Sequence, residues 1–148
     1  MGTKTSTSKK SVQGSVRPNA CVFADSVATV AGDVDLADVI QPVFVPGGTD
    51  VHRVTIKNTD LDSNGSPALA AKIGFTPADG SAAASGADTA VASAASWGQS
   101  AATTAYEIFP PYRVEVDSWL NIVVTTAAAT GAAGTVYAKV EGEGLGIK

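Results

Sequence analysis

Two reactive side chains are almost missing from this chain. Among 148 residues there is one cysteine, Cys21, and one histidine, His52. A lone cysteine rules out a disulfide within the chain and argues against a disulfide-stapled scaffold. One of each is too few for a zinc site, which takes several Cys or His ligands. A Cys–His nucleophilic pair also needs an orienting group and a cleft, and nothing near either residue in sequence supplies them. Neither a Gly-x-x-x-x-Gly-Lys-Ser/Thr phosphate loop nor a Gly-x-Gly-x-x-Gly after a strand occurs. No stretch of about 18 residues is apolar enough to span a bilayer, and the N-terminus lacks the continuous apolar core of a signal peptide. Carboxylate pairs such as Glu115 with Asp117 read as solvated strand faces. These absences exclude the familiar enzyme classes and imply no cofactor and no membrane partner.

Charge and aromatic area are also scarce. Charged residues make up 16% of the chain and aromatics 6%, against roughly 25% charge in ordinary globular domains. A surface short of charge fits one that is partly covered by other subunits. The net charge is −4, but Lys4, Lys9, Lys10 and Arg17 fall in the first 18 residues with no acid among them. The body is therefore more acidic than the total suggests and carries no basic footprint for nucleic acid. Residues 1–18, rich in Ser, Thr, Lys and Gly, read as a flexible basic arm able to touch an acidic partner or nucleic acid. Residues 19–148 are long enough for one domain with its own core.

What the body does have is alternation. Val54 and Ile56 oppose Arg53, Thr55 and Lys57, with His52 falling on the Val54 side. Leu69, Ala71, Ile73 and Phe75 share one face. Tyr112, Val114 and Val116 oppose Arg113, Glu115 and Asp117. Leu120, Ile122 and Val124 form another inward set, and Val136, Ala138 and Val140 a last one. Period two marks half-buried strands of antiparallel sheets. Pro42 to Gly48 reads as a short strand closed by a tight turn, residues 81–105 as a long loop with one or two short strands, and Ala127 to Gly134 as a hairpin connection. With turn residues between the runs and no long helix, the pattern predicts an all-β fold, an antiparallel β-sandwich of jelly-roll type.

One loop invites a chemical reading. Asp60, Asp62, Asn64 and Gly65 have the spacing of the first half of an EF-hand loop, which takes oxygens at positions 1, 3, 5, 7, 9 and 12. Position 12 is Ala71, which has no side-chain oxygen, and the flanks are strands. A looser calcium loop held by Asp60, Asp62 and Asn64 is the metal reading; a rigid corner built on Asx turns is the structural one.

The stretch from Pro46 to Phe75, PGGTDVHRVTIKNTDLDSNGSPALAAKIGF, resembles a family of small virion proteins of tailed bacteriophages. So does the closing LNIVVTTAAATGAAGTVYAKV, Leu120 to Val140. The resemblance implies a head decoration or cement protein on the outer capsid surface, binding the major capsid protein and itself as a homotrimer. It carries over no catalytic residue, and it makes Lys4, Lys9, Lys10 and Arg17 candidates for contacts with neighbouring subunits. A β-sandwich module that binds carbohydrate or a cell surface, on a phage tail or fibre, is the alternative, with Trp97, Tyr106, Tyr112 and Trp119 as candidate site aromatics.

Overall fold

A computed structural model describes residues 2–6, 11–13, 20–29, 32 and 34–144. Two sheets pack face to face. The first contains β1 (Thr3–Thr5), β4 (Val39–Gln41), β10 (Ser118–Thr126), β7 (Ala70–Pro77) and β8 (Ala92–Ser96) in that spatial order, with β5 (Phe44–Val45) also paired to β10. The second runs β2 (Ser11–Gln13), β3 (Ala20–Thr29), β11 (Gly134–Gly144), β6 (Thr49–Asn58) and β9 (Ala102–Val114). All pairings are antiparallel except β1 with β4. The chain passes from one sheet to the other between β1 and β2, β3 and β4, β5 and β6, β6 and β7, β8 and β9, β9 and β10, and β10 and β11. A six-stranded and a five-stranded sheet woven together in this way form an all-β sandwich.

The alternation in the sequence places the core directly. Leu69, Ala71, Ile73 and Phe75 are buried, as are Leu120, Ile122 and Val124, and Val136, Ala138 and Val140. Phe75 from the first sheet stacks on Tyr112 from the second, with ring centroids 5.3 Å apart and planes within 5°. Small residues let covering segments sit close. A Cβ on Gly74 would lie 2.1 Å from the carbonyl oxygen of Ala87, in the 3-10 turn Ala87–Thr89 that lies over β7.

Four expectations change. Ala127 to Gly134 is not a hairpin: β10 and β11 belong to different sheets, so this segment crosses between them. Val116 is not in the inward set with Tyr112 and Val114. The strand ends at Val114, and Glu115–Asp117 turns the chain into β10, leaving Val116 exposed. His52 does not continue the face of Val54, because a bulge at this point lets Val51 and Val54 both face the core. One extra residue reverses the alternation on its far side.

The fourth concerns the arm. Thr3–Thr5 pairs with β4 and Ser11–Gln13 with β3, at the open edges of the two sheets. Unpaired edge N–H and C=O groups accept a strand whatever its side chains, so a segment without large apolar residues can still dock. Side chains extend the docking of β1 across its sheet. Thr5 Oγ1 donates to Gln41 Oε1 at 2.7 Å, Gln41 Nε2 to Asn121 Oδ1 at 2.8 Å, and Asn121 Nδ2 to Thr76 Oγ1. Lys4 lies in β1 and is half-buried; Lys9, Lys10 and Arg17 fall outside the described residues.

Candidate functional site: a rigid corner and an exposed knob

The Asp60 loop joins β6 to β7 and is anchored by its own leucines, since Leu61 and Leu69 are both fully buried. Asp62, only 1% exposed, sits between this loop and the β10–β11 crossing. Its Oδ2 accepts the N–H groups of Ala68 (2.8 Å), Leu69 (3.1 Å) and Ala129 (3.0 Å), and its Oδ1 accepts that of Thr130 (2.9 Å). Burial pushes the carboxyl pKa up, but those four N–H bonds outweigh it and hold the group well below the usual carboxylate range. Asp62 therefore clasps two inter-sheet crossings as a fixed anion.

The neighbouring polar groups of the loop are also used locally. Asp60 Oδ1 accepts from Asp62 N at 3.1 Å, Asn64 Oδ1 from Ser66 N at 2.9 Å, and Asn64 Nδ2 donates to Thr130 Oγ1 at 3.1 Å. These are Asx turns plus a tie to the facing loop. Calcium wants six to eight oxygens converging on one point, whereas here backbone donors converge on Asp62. The residues do not fit a calcium shell, and no group of three or more His, Cys, Asp or Glu suited to a metal lies among the described residues. Cys21 and His52 are on β3 and β6 with β11 between them, two strand spacings or about 10 Å apart. Burial, followed by the charge of Glu143, raises the thiol pKa, which disfavours the reactive thiolate.

The candidate aromatics are largely committed to packing. Trp97 is buried in the core, Tyr112 stacks on Phe75, Tyr106 is half-buried against the core, and Trp119 meets Phe44 edge-on at 5.3 Å. Two aromatics that the alternation did not single out are exposed. Tyr137 stands on the outer face of the second sheet, beside a depression shared with Ser26, Lys57 and Thr135. Phe109 is 95% exposed.

Phe109 owes its position to a local failure of pairing. Val51 pairs with Tyr112 and Arg53 with Glu107, so His52 alone faces the four residues Ile108 to Pro111. Pro110 and Pro111 have no N–H to give a ladder and are tolerated only at edges and bulges, and β9 is an edge strand. The excess chain bows outward with Phe109 at its crest. Ion pairs flank the bow: Arg53 Nε to Glu107 Oε1 at 2.6 Å on one side, and Arg113 Nη2 to Asp50 Oδ2 at 3.1 Å on the other. The Arg113 guanidinium holds the Asp50 carboxyl below its ordinary pKa. His52 Nε2 is enclosed beneath the bow with no hydrogen-bond partner. An apolar centre within a rim of charges is the anatomy of a protein–protein contact. The sequence did carry one sign of it: Phe-Pro-Pro inside a strand pattern marks a bulge.

No protein-family model matches the chain, and no curated protein matches it. Among solved structures, it is similar to a chain in the capsid asymmetric unit of cyanophage Pam1. The TM-score is 0.69 at 25% identity, covering 93% of this chain and 94% of that one. It also shares its fold with a chain from the capsid of Ralstonia phage GP4, at a TM-score of 0.69 and 18% identity, over 87% of this chain and 86% of that one.

Proposed function

We propose that this chain is a structural protein of a tailed-phage virion, one that decorates the outer head surface as a homotrimer, binds the major capsid protein and stabilises contacts between capsomers. The observation that carries the reading is the likeness to a chain of the Pam1 capsid, which runs almost end to end through both chains and so takes in the whole sandwich with its connections. The surface fits such work: a rigid corner whose buried carboxylate is internally satisfied, and an exposed aromatic framed by ion pairs. The basic N-terminal segment, with Lys4, Lys9, Lys10 and Arg17, extends the contact onto acidic neighbouring subunits, attraction that salt weakens.

Purified particles of the source phage test this. The expected result is the chain in the particle by mass spectrometry, and ordered density of its shape on the outside of the head by cryo-electron microscopy. Absence of the chain from the particle defeats the reading; density at the neck or tail defeats the decoration role and leaves the virion role standing. Heads stripped of the protein should rebind it, and rebinding with unchanged affinity by a chain lacking residues 1–18 would remove the basic segment from the contact.

A further inference from the structure

A phenylalanine at 95% exposure is a poor surface choice in a chain so short of aromatics, and the same chain offers a place for it. Where β9 ends, an apolar groove of about 280 Å³ opens between the Ala84–Ala87 segment and the turn into β10. Phe75, Ala87, Tyr112 and Val114 line it on the apolar side, and Val116 and the charged Arg113 and Glu115 border it. Phe75 is buried beneath the stacked, half-buried Tyr112, whose ring is the aromatic group the groove presents. That volume admits a phenyl ring, and offset or edge contacts with the Tyr112 ring would hold it. Val116, at 47% exposure, is an apolar rim residue with its cover missing.

The geometry points to a knob-and-socket contact between copies of this chain, in which Phe109 of one copy enters the Phe75–Tyr112–Val116 groove of the next. It rests on the reading of the chain as a self-associating virion protein and names the contact. Phe109 does not fill the groove of its own chain, because it is almost wholly exposed. Arg113 flanks the knob and also lines the socket, so the two features adjoin on one face, and copies joined this way form a reciprocal two-fold pair, a closed ring or an open chain. The paired charges beside the knob, Arg53 with Glu107 and Arg113 with Asp50, sit where a rim excludes water from an aromatic centre.

Sedimentation of the full chain over a concentration series tests the contact. Wild type is expected to associate, and Phe109→Ser to weaken association by at least about 30-fold, the scale of an interface hot spot, with the melting temperature of the dilute monomer unchanged. Val116→Asp, which puts a charge on the socket rim, should be monomeric too, and Ser85→Trp provides a second socket variant should that one unfold. The decisive sample is an equal mixture of Phe109→Ser and Val116→Asp chains. The first keeps a socket and the second a knob, so the mixture should yield dimers and nothing larger. A wild type that stays monomeric, a Phe109→Ser chain that associates normally, or a mixture that stays monomeric overturns the contact. Rebinding to stripped heads separates the two ideas: a monomeric wild type that still decorates heads sinks the knob and socket while the virion role survives.

Discussion

The crossing loops around Asp62 and the bow around Phe109 are both irregular segments between regular strands, yet they point opposite chemistry outward. At the corner a carboxylate is buried and every oxygen has N–H partners. At the bow an aromatic ring is exposed, and the polar group left without a partner, His52 Nε2, is enclosed. The β3–β4, β6–β7, β8–β9 and β10–β11 crossings meet at the corner through backbone hydrogen bonds, Ala128 to Val34, Leu61 to Gly98, Trp97 to Leu69 and Ser63 to Thr130 among them. The bow is held by one partner strand and two exposed ion pairs. The corner is built to hold the sandwich together; the bow contributes little to folding and offers its apolar area to another surface.

The contrast can be broken most severely at Asp62. Asp62→Ala leaves four N–H groups, that of Leu69 buried, without their acceptor, and the melting temperature should fall on the order of 10 °C. A drop of a few degrees would show that water or the loops themselves replace the carboxylate. The same group sets a pH response. Its folded-state pKa is depressed, so its contribution is fully present above the ordinary carboxylate pKa near 4 and is lost as pH falls from there toward the folded value. Wild type should therefore lose stability more steeply below about pH 4 than Asp62→Asn, read as melting temperature against pH.

Gly98 should come next. It has φ of +71°, and a Cβ there would lie 2.7 Å from Leu69 Cδ2. Gly98→Ala should cost about 1–3 kcal/mol through backbone strain and overpacking, measured by urea denaturation. Removing the Arg113 side chain is a smaller change, since the pair it forms with Asp50 is solvent-screened; Arg113→Ala should shift melting by about 2 °C or less. Phe109→Ser should have the least effect of all on the melting of the monomer, within about 1 °C, because the ring buries almost nothing. If Phe109→Ser melted several degrees lower while monomeric, the ring would be supporting its own chain, and the two regions would differ less than their exposures indicate.

The strand interiors were legible because burial on a sheet face repeats every second residue. Leu120, Ile122 and Val124 needed no more than that. The corner was half legible: Asp-x-Asp-x-Asn-Gly announced a turn, and Ala71 at the twelfth position argued against an EF-hand while leaving a looser calcium loop open. The partners of Asp62 were not legible, since Ala129 and Thr130 lie 67 and 68 residues away in sequence. His52 misled because it is the extra residue of a bulge opposite Glu141 and Gly142 of β11, which no local period announces, and Val116 because alternation cannot tell a strand from the turn that ends it.

By itself the sequence determined the all-β class and the membership of most of the core, because both depend on residue type and short-range spacing. Tertiary structure alone decided that Ala127 to Gly134 crosses between sheets, that Thr3–Thr5 closes an edge, that Asp62 clasps two loops, and that Phe109 faces outward. Each of these depends on which distant segments become neighbours, and that is settled by the joint packing of two sheets, a quantity with no local period to read.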